Sequence, residues 1–249
     1  KLSETSSDGN AAFLLKSDFY HDGLDGKDNI DLREGFVDYS VGFADFRLGR
    51  QIITWGTGDM MFINDVFPKD YNAFFSGKPM EYLKCPVDSL KMELSFDLFS
   101  AELVVIPLFS PNTFPSANRF YLYNPFASVL GLTTEEKKPG QRVWDGEFAA
   151  RLFRYIGSAD LSLYAYRGFY KTPGMSADSM TSPTSVTYFY PDLSVYGASV
   201  SGSVLDIVGN LEAGYYDSRN DRKGTDPTIE NSKYKFLTGI RKELGTDLT

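Results

Sequence analysis

The sequence predicts an all-β fold, an antiparallel transmembrane β-barrel, and three observations predict it. Apolar and polar residues alternate with period two along much of the chain, and no amphipathic helical pattern runs for three turns. Tight connections between the predicted strands alternate with long ones, as in a barrel with turns at one rim and loops at the other. Aromatic residues make up 15% of the chain, with 20 Phe and 16 Tyr, and they gather near predicted strand ends.

About ten strands are expected, over residues 11–22, 30–41, 45–56, 89–97, 101–109, 146–156, 159–170, 192–205, 210–218 and 233–243. The fourth is the clearest. Leu90, Met92, Leu94 and Phe96 share one face, and Lys91, Glu93, Ser95 and Asp97 share the other. In the sixth, Phe148, Ala150 and Leu152 alternate with Glu147, Ala149 and Arg151; in the ninth, Leu211, Ala213 and Tyr215 alternate with Asn210, Glu212 and Gly214. Tight turns are expected near 42–44, 98–100, 157–158 and 207–209, and longer connections at 24–29, 57–88, 110–145, 171–191 and 219–232. The final ELGTDLT reads as a fifth tight turn leading into another strand, and the polar residues 1–10 read as the tail of an earlier hairpin. Residues 1–249 are therefore expected to form a single barrel domain, incomplete at both ends, within a barrel of about 14 to 18 strands.

Composition narrows the functional classes. With 25 Lys+Arg against 33 Asp+Glu, the formal charge of −8 opposes a nucleic-acid role, which needs a basic face. The single Cys85 excludes an intrachain disulfide, and the single His21 excludes a multi-histidine metal site. No run reaches the roughly 18 apolar residues of a membrane helix, which leaves strands as the means of crossing a bilayer. His21 lies at a predicted strand end with no G-x-S-x-G elbow in the chain, so an exposed histidine is the expectation. Cys85 reads as an unpaired loop residue. The Asp-rich stretch 22–29 lacks the twelfth-position Glu of a calcium loop and reads as a hairpin turn.

The segment DLREGFVDYSVGFADFRLGRQIITWGTGD, residues 31–59, followed by INDVFPKDY, residues 63–71, resembles a group of large, poorly characterised proteobacterial outer-membrane barrels. The residues carrying the resemblance are Leu32, Arg33, Glu34, Tyr39, Gly49, Arg50, Gln51, Trp55, Gly56, Asp65, Pro68, Asp70 and Tyr71. Phe67 stands where the family has Asn before Pro68. The resemblance implies a porin-like fold and brings no catalytic residues with it.

The polar strand faces supply the candidate lumen-lining residues: Arg47, Gln51, Lys91, Glu93, Asp97, Glu147, Arg151 and Glu212. Charge on the lipid side costs roughly 2–4 kcal/mol at the midplane, which argues that they point inward. An ordinary half-exposed sheet is the alternative. Arg50 shares parity with the apolar Phe46 and Leu48, so either Gly49 marks a bulge that turns it inward or it snorkels to an interface. Phe19, Tyr20, Phe43, Phe46, Trp55, Phe99, Tyr155, Phe169, Tyr170, Tyr215 and Tyr216 are expected in two interfacial girdles, with core or carbohydrate-stacking rings as the alternative. The loop 57–88 is unusually apolar. Met60, Phe62, Phe67, Phe74 and Phe75 are expected to fold it into the lumen as a constriction or plug, or to cap the mouth.

The expected role is a bacterial outer-membrane channel for diffusion of small polar solutes, with the lipid bilayer as partner and with no enzymatic activity, cofactor, metal or nucleic acid. A homo-oligomer or a periplasmic partner is compatible with this. One alternative is a structural barrel or export conduit sheathing a partner protein or polysaccharide. The other is a soluble all-β carbohydrate-binding domain.

Overall fold

The structure, a computed structural model, describes residues 1–242 except 8, 25, 59, 118, 124–125, 127–128, 141–144 and 205–206. The expected turn at ELGTDLT lies outside the described residues. An antiparallel sheet of 11 strands forms the body. In chain order its strands are β1 (Leu2–Thr5), β2 (Ala11–Asp22), β3 (Lys27–Val41), β4 (Ala44–Gln51), β5 (Val87–Ser95), β6 (Ser100–Ile106), β8 (Glu147–Ile156), β9 (Ala159–Phe169), β12 (Asp192–Val204), β13 (Ile207–Ser218) and β14 (Lys233–Lys242). Sheet order follows chain order, so each strand pairs with the next one added. Three short strands in the long connections, β7 (Thr133–Lys137), β10 (Gly174–Ala177) and β11 (Ser185–Phe189), form a separate sheet in which β11 and β7 run parallel.

All ten expected strands are present, and β1 adds an eleventh to the main sheet. Several boundaries move for identifiable reasons. Strand β6 stops at Ile106, because Pro107 has no N–H to give the ladder. Residues 27–29 pair with Tyr20, His21 and Asp22, so the connection expected to be long is a short turn. Residues 207–209 continue β13 against Val204, Ser203 and Gly202, so no turn lies there. Gly209 misled because glycine often marks a turn, yet it needs no positive φ. Asp97 lies past the end of β5, in the turn, and does not stand on a strand face.

The two faces of the main sheet differ in chemistry. Val37, Leu48, Leu90, Leu163, Leu211 and Phe236 point outward and are exposed. Cross-strand neighbours Tyr196, Tyr215 and Tyr234 form an outward aromatic row toward the long-loop rim. Phe43, Phe96 and Phe99 cluster at the tight-turn rim, with ring centroids 5.6 and 5.1 Å apart. The opposite face carries Arg47, Lys91, Glu102, Glu147, Arg151 and Glu212, together with the buried Tyr164, Tyr166 and Tyr216.

The sheet curls around that second face, and a length argument shows it. Gln51 ends β4, whereas Gly56 abuts the Glu212 side chain of β13, six strand positions away. On a flat sheet with strands about 4.8 Å apart, that separation is roughly 29 Å. Five extended residues span only about 17 Å. The curl has not closed into a ring, since β1 and β14 pair with no second neighbour among the described residues.

Candidate functional site

The connection between β4 and β5 folds into the concave side, and β4 carries a glycine two residues before it ends at Gln51. Gly49 has φ 131°. A Cβ there would lie 2.3 Å from the Gly35 carbonyl oxygen on the neighbouring strand. The strands thus approach more closely than any side chain permits. The ladder nevertheless keeps its register through Gly49, so it is not a bulge. The irregularity lies on β3, where Lys16 pairs with Glu34 and Ser17 with Leu32, leaving Arg33 as the extra residue. The bulge expected to turn Arg50 inward is therefore absent. Asp88, directly across on β5, takes both the Arg50 Nε and Nη2 at 2.9 Å, so the guanidinium is neutralised by its ladder neighbour. Gln51 is almost wholly buried and donates to the Ser89 carbonyl at 3.2 Å.

Past Gln51 the chain leaves the sheet and is pinned to the wall by carboxylates. Trp55, expected in a girdle, is instead buried: its indole N–H donates to Glu102 of β6, and its ring packs edge-on to Phe67 at 5.1 Å and against Tyr164 of β9 at 5.6 Å. Glu212 of β13 accepts from the Thr57 amide at 2.9 Å and the Asn64 amide at 2.8 Å. Asn64 donates to the Ala198 and Ala213 carbonyls at 3.3 Å. Tyr216 donates to the Ile63 carbonyl at 2.5 Å. Tyr216 and Tyr170 are therefore interior residues rather than girdle rings.

Two buried ion pairs complete the seat. Lys69 meets Asp65 at 2.8 Å, and its ammonium also lies 4.6 Å over the Phe62 ring. Burial pushes the Asp65 carboxyl up and the Lys69 amine down, each opposed by the partner's charge. Lys171, just past β9, meets the fully buried Glu147 at 2.5 Å, and Tyr166 donates to that same carboxylate at 2.9 Å. Burial lowers the Lys171 amine. A small cavity of about 170 Å³ lies between these groups, lined by Phe62, Asp65, Lys69, Lys171, Tyr216 and Lys235. After Pro68 the chain enters α1 (Tyr71–Phe75), capped by Asp70 accepting from the Ala73 amide at 2.9 Å.

The remaining expected site residues occupy distinct positions. Arg47 pairs bidentately with Asp38 at 2.6 and 2.9 Å and stacks on Phe36. Lys91 lies 3.6 Å from Glu102, and Glu93 stands opposite Glu102 in the ladder. Arg151 reaches Asp160 at 3.2 Å and Ser162 at 2.9 Å. In the inward connection, Phe67 is buried and Phe62 partly so, whereas Met60 and Phe75 are exposed and Phe74 packs beside Phe75 in α1. Glu102, Asn64, Asp65, Lys69, Tyr164 and Lys171 were not expected as site residues. Glu102 carried one legible signal, a charge sharing parity with Val104 and Ile106. Asp65 stood among the residues of the family resemblance, and nothing local marked Tyr164 or Lys171.

His21 at the end of β2 lies 2.9 Å from Asp28, and Cys85 is a free, half-buried thiol whose pKa burial raises to about 11. Among the described residues, no group of three or more His, Cys, Asp or Glu is arranged to hold a metal ion. No helix among them is long and apolar enough to cross a membrane, which leaves strand crossing untouched.

A family model described as a protein of unknown function, DUF1302, matches residues 6–227. No curated protein matches the chain. Among solved structures, the chain is similar to in-vitro folded OmpT, an outer membrane protein of Vibrio cholerae, with 12% identity and a TM-score of 0.46 over 88% of this chain and 55% of that one. A variant of OmpT lacking loop L8 gives 15% identity and 0.44, over 86% and 58%. The trimer form gives 11% and 0.45, over 86% and 55%. The chain thus spans little more than half the length of these structures.

Proposed function

We propose that this chain, which belongs to the DUF1302 family of proteins of unknown function, forms the wall and inward constriction of an outer-membrane channel for small polar solutes. One observation carries the reading: an apolar outer face is backed by a charged inner face onto which the chain between β4 and β5 is fastened by Glu102 and Glu212. Lipid suits the outer face, where Leu48, Leu163 and Leu211 are exposed. On the inner face Arg47, Lys91, Glu93, Glu147, Arg151 and Glu212 line or brace the solute path, and both signs of charge face it. Phe62 and Phe67 lie within the constriction; Met60, Phe74 and Phe75 lie toward its mouth. The edges of β1 and β14 are met by further strands, because unpaired backbone cannot face hydrocarbon.

The test is single-channel conductance of the full-length protein in planar bilayers, compared with a variant lacking residues 73–82 and with Glu212→Gln. A conducting wild type and larger conductance in either variant support the reading. No conductance overturns the channel, and unchanged conductance in both variants overturns the constriction.

A further inference from the structure

A second site lies at the long-loop rim, away from the seated connection. Beyond the Arg33 bulge, Asp18 of β2 and Asp31 of β3 stand directly opposite each other in the ladder. Like charges so placed repel; the Tyr82 hydroxyl hydrogen-bonds Asp18, and Arg50 acts on Asp31 from a distance. Tyr20, on the same face, donates to Asp31 at 3.3 Å. Across a cleft of about 810 Å³, the chain following α1 brings Lys78 over two rings, its Nζ 5.0 Å from the Tyr20 centroid and 5.6 Å from that of Tyr82. Both distances are within cation–π range. Of the other cations on the walls, Arg50 is committed to Asp88, Arg33 to the Glu81 carbonyl and to the Tyr82 ring, 4.2 Å from its centroid, and Lys84 also lines the cleft.

We propose that Tyr20, Tyr82, Asp18 and Asp31 form a binding site for organic ammonium ions, and that Lys78 is its tethered occupant. The chain's own ammonium stands where a free one would sit: within reach of two ring faces, in a cleft whose wall also carries the Asp18 and Asp31 carboxylates. Such a site favours a diffuse, weakly hydrated cation, because ring faces replace a loosely held water shell at small cost. Lys78 is exposed and carried on a segment outside the sheet, so a solute can displace it without disturbing the wall.

The site does not depend on conduction, and equilibrium binding tests it. The full chain in detergent micelles is titrated calorimetrically with benzyltrimethylammonium. Removing the occupant with Lys78→Met should tighten binding at least tenfold, whereas Lys78→Arg should leave it at the wild-type value. Adding Tyr82→Leu to Lys78→Met should erase the gain. Equal affinity in wild type and Lys78→Met, or a gain that survives Tyr82→Leu, overturns the proposal. A protein that shows the gain but conducts nothing overturns the channel alone; one that conducts without the gain overturns the ammonium site alone.

Discussion

Asn64 occupies the space that a side chain on Gly197 would need: a Cβ at Gly197 would lie 1.7 Å from Asn64 Oδ1. The inner connection therefore sits flush on the backbone of β12 and β13, and its amide bridges two carbonyls there. Gly197→Ala should unseat Asn64 and lower stability by about 1–3 kcal/mol, the cost of leaving buried polar groups unpaired. Urea unfolding in micelles measures this. Adding Asn64→Gly should recover part of the loss, and a Gly197→Ala midpoint equal to wild type would contradict the seating.

Glu147 and Lys171 should behave as a unit. Removing one member strands the other's charge in the interior, so Glu147→Gln or Lys171→Met alone should cost about 3–5 kcal/mol. The double variant should cost markedly less than the sum. A double-mutant cycle on denaturation midpoints gives the coupling, and simple additivity would refute it.

Trp55→Phe keeps most of the ring packing but removes the donor to Glu102. The carboxylate keeps Lys91 at 3.6 Å, so the loss should be modest, about 1–2 kcal/mol, while Trp55→Ala should cost about 3–5 kcal/mol through the cavity it opens. Equal losses in the two would mean that the hydrogen bond, not the ring, holds the connection.

Cys85 should be slow to alkylate. With its pKa raised to about 11 by burial, little thiolate exists near neutrality. Iodoacetamide labelling of the folded protein should stay well below that of the urea-unfolded chain at pH 8, and climb only as the pH nears 11. Equal labelling of the folded and unfolded chains at pH 8 would show the thiol to be unshielded.

The loops at the long-loop rim should loosen in acid. Asp178 accepts from Thr184 and Ser185, and Asp221 accepts from Thr225 and the Asp226 amide, which holds both carboxyls below their ordinary value. A depressed carboxylate contributes stability that is complete above its unfolded pKa of about 3.9 and fades as pH falls through the folded value. Limited proteolysis within 178–185 and 221–226 should therefore rise below about pH 4 and stay flat from pH 5 to 8. A rise that begins near neutrality would contradict these bonds.

The fold was legible because sheet chemistry repeats every second residue: Leu90 to Leu94 and Phe148 to Leu152 declare their outward face locally. The site was only half legible for the same reason. Alternation placed Glu147 and Glu212 on the polar face, but nothing near residue 212 reveals that Thr57 and Asn64 will come to it. Trp55 was misassigned because an aromatic ring at a strand end reads the same whether it meets lipid or turns inward. The inward course is held by Glu102 and Glu212, partners far away in sequence. Arg50 was ambiguous from parity alone, and Asp88, the residue that resolves it, lies 38 positions away.

The bond from Thr57 to Glu212 joins residues 155 apart in sequence, whereas every strand of the wall pairs with the next one made. Maturation is thus split into two regimes. Neighbouring hairpins close short loops at small entropic expense, whereas the apolar tether after β4 can be fastened only once the tenth wall strand is in place. A wall that lacks β13 leaves that tether unfastened, with Thr57 and Asn64 deprived of their carboxylate.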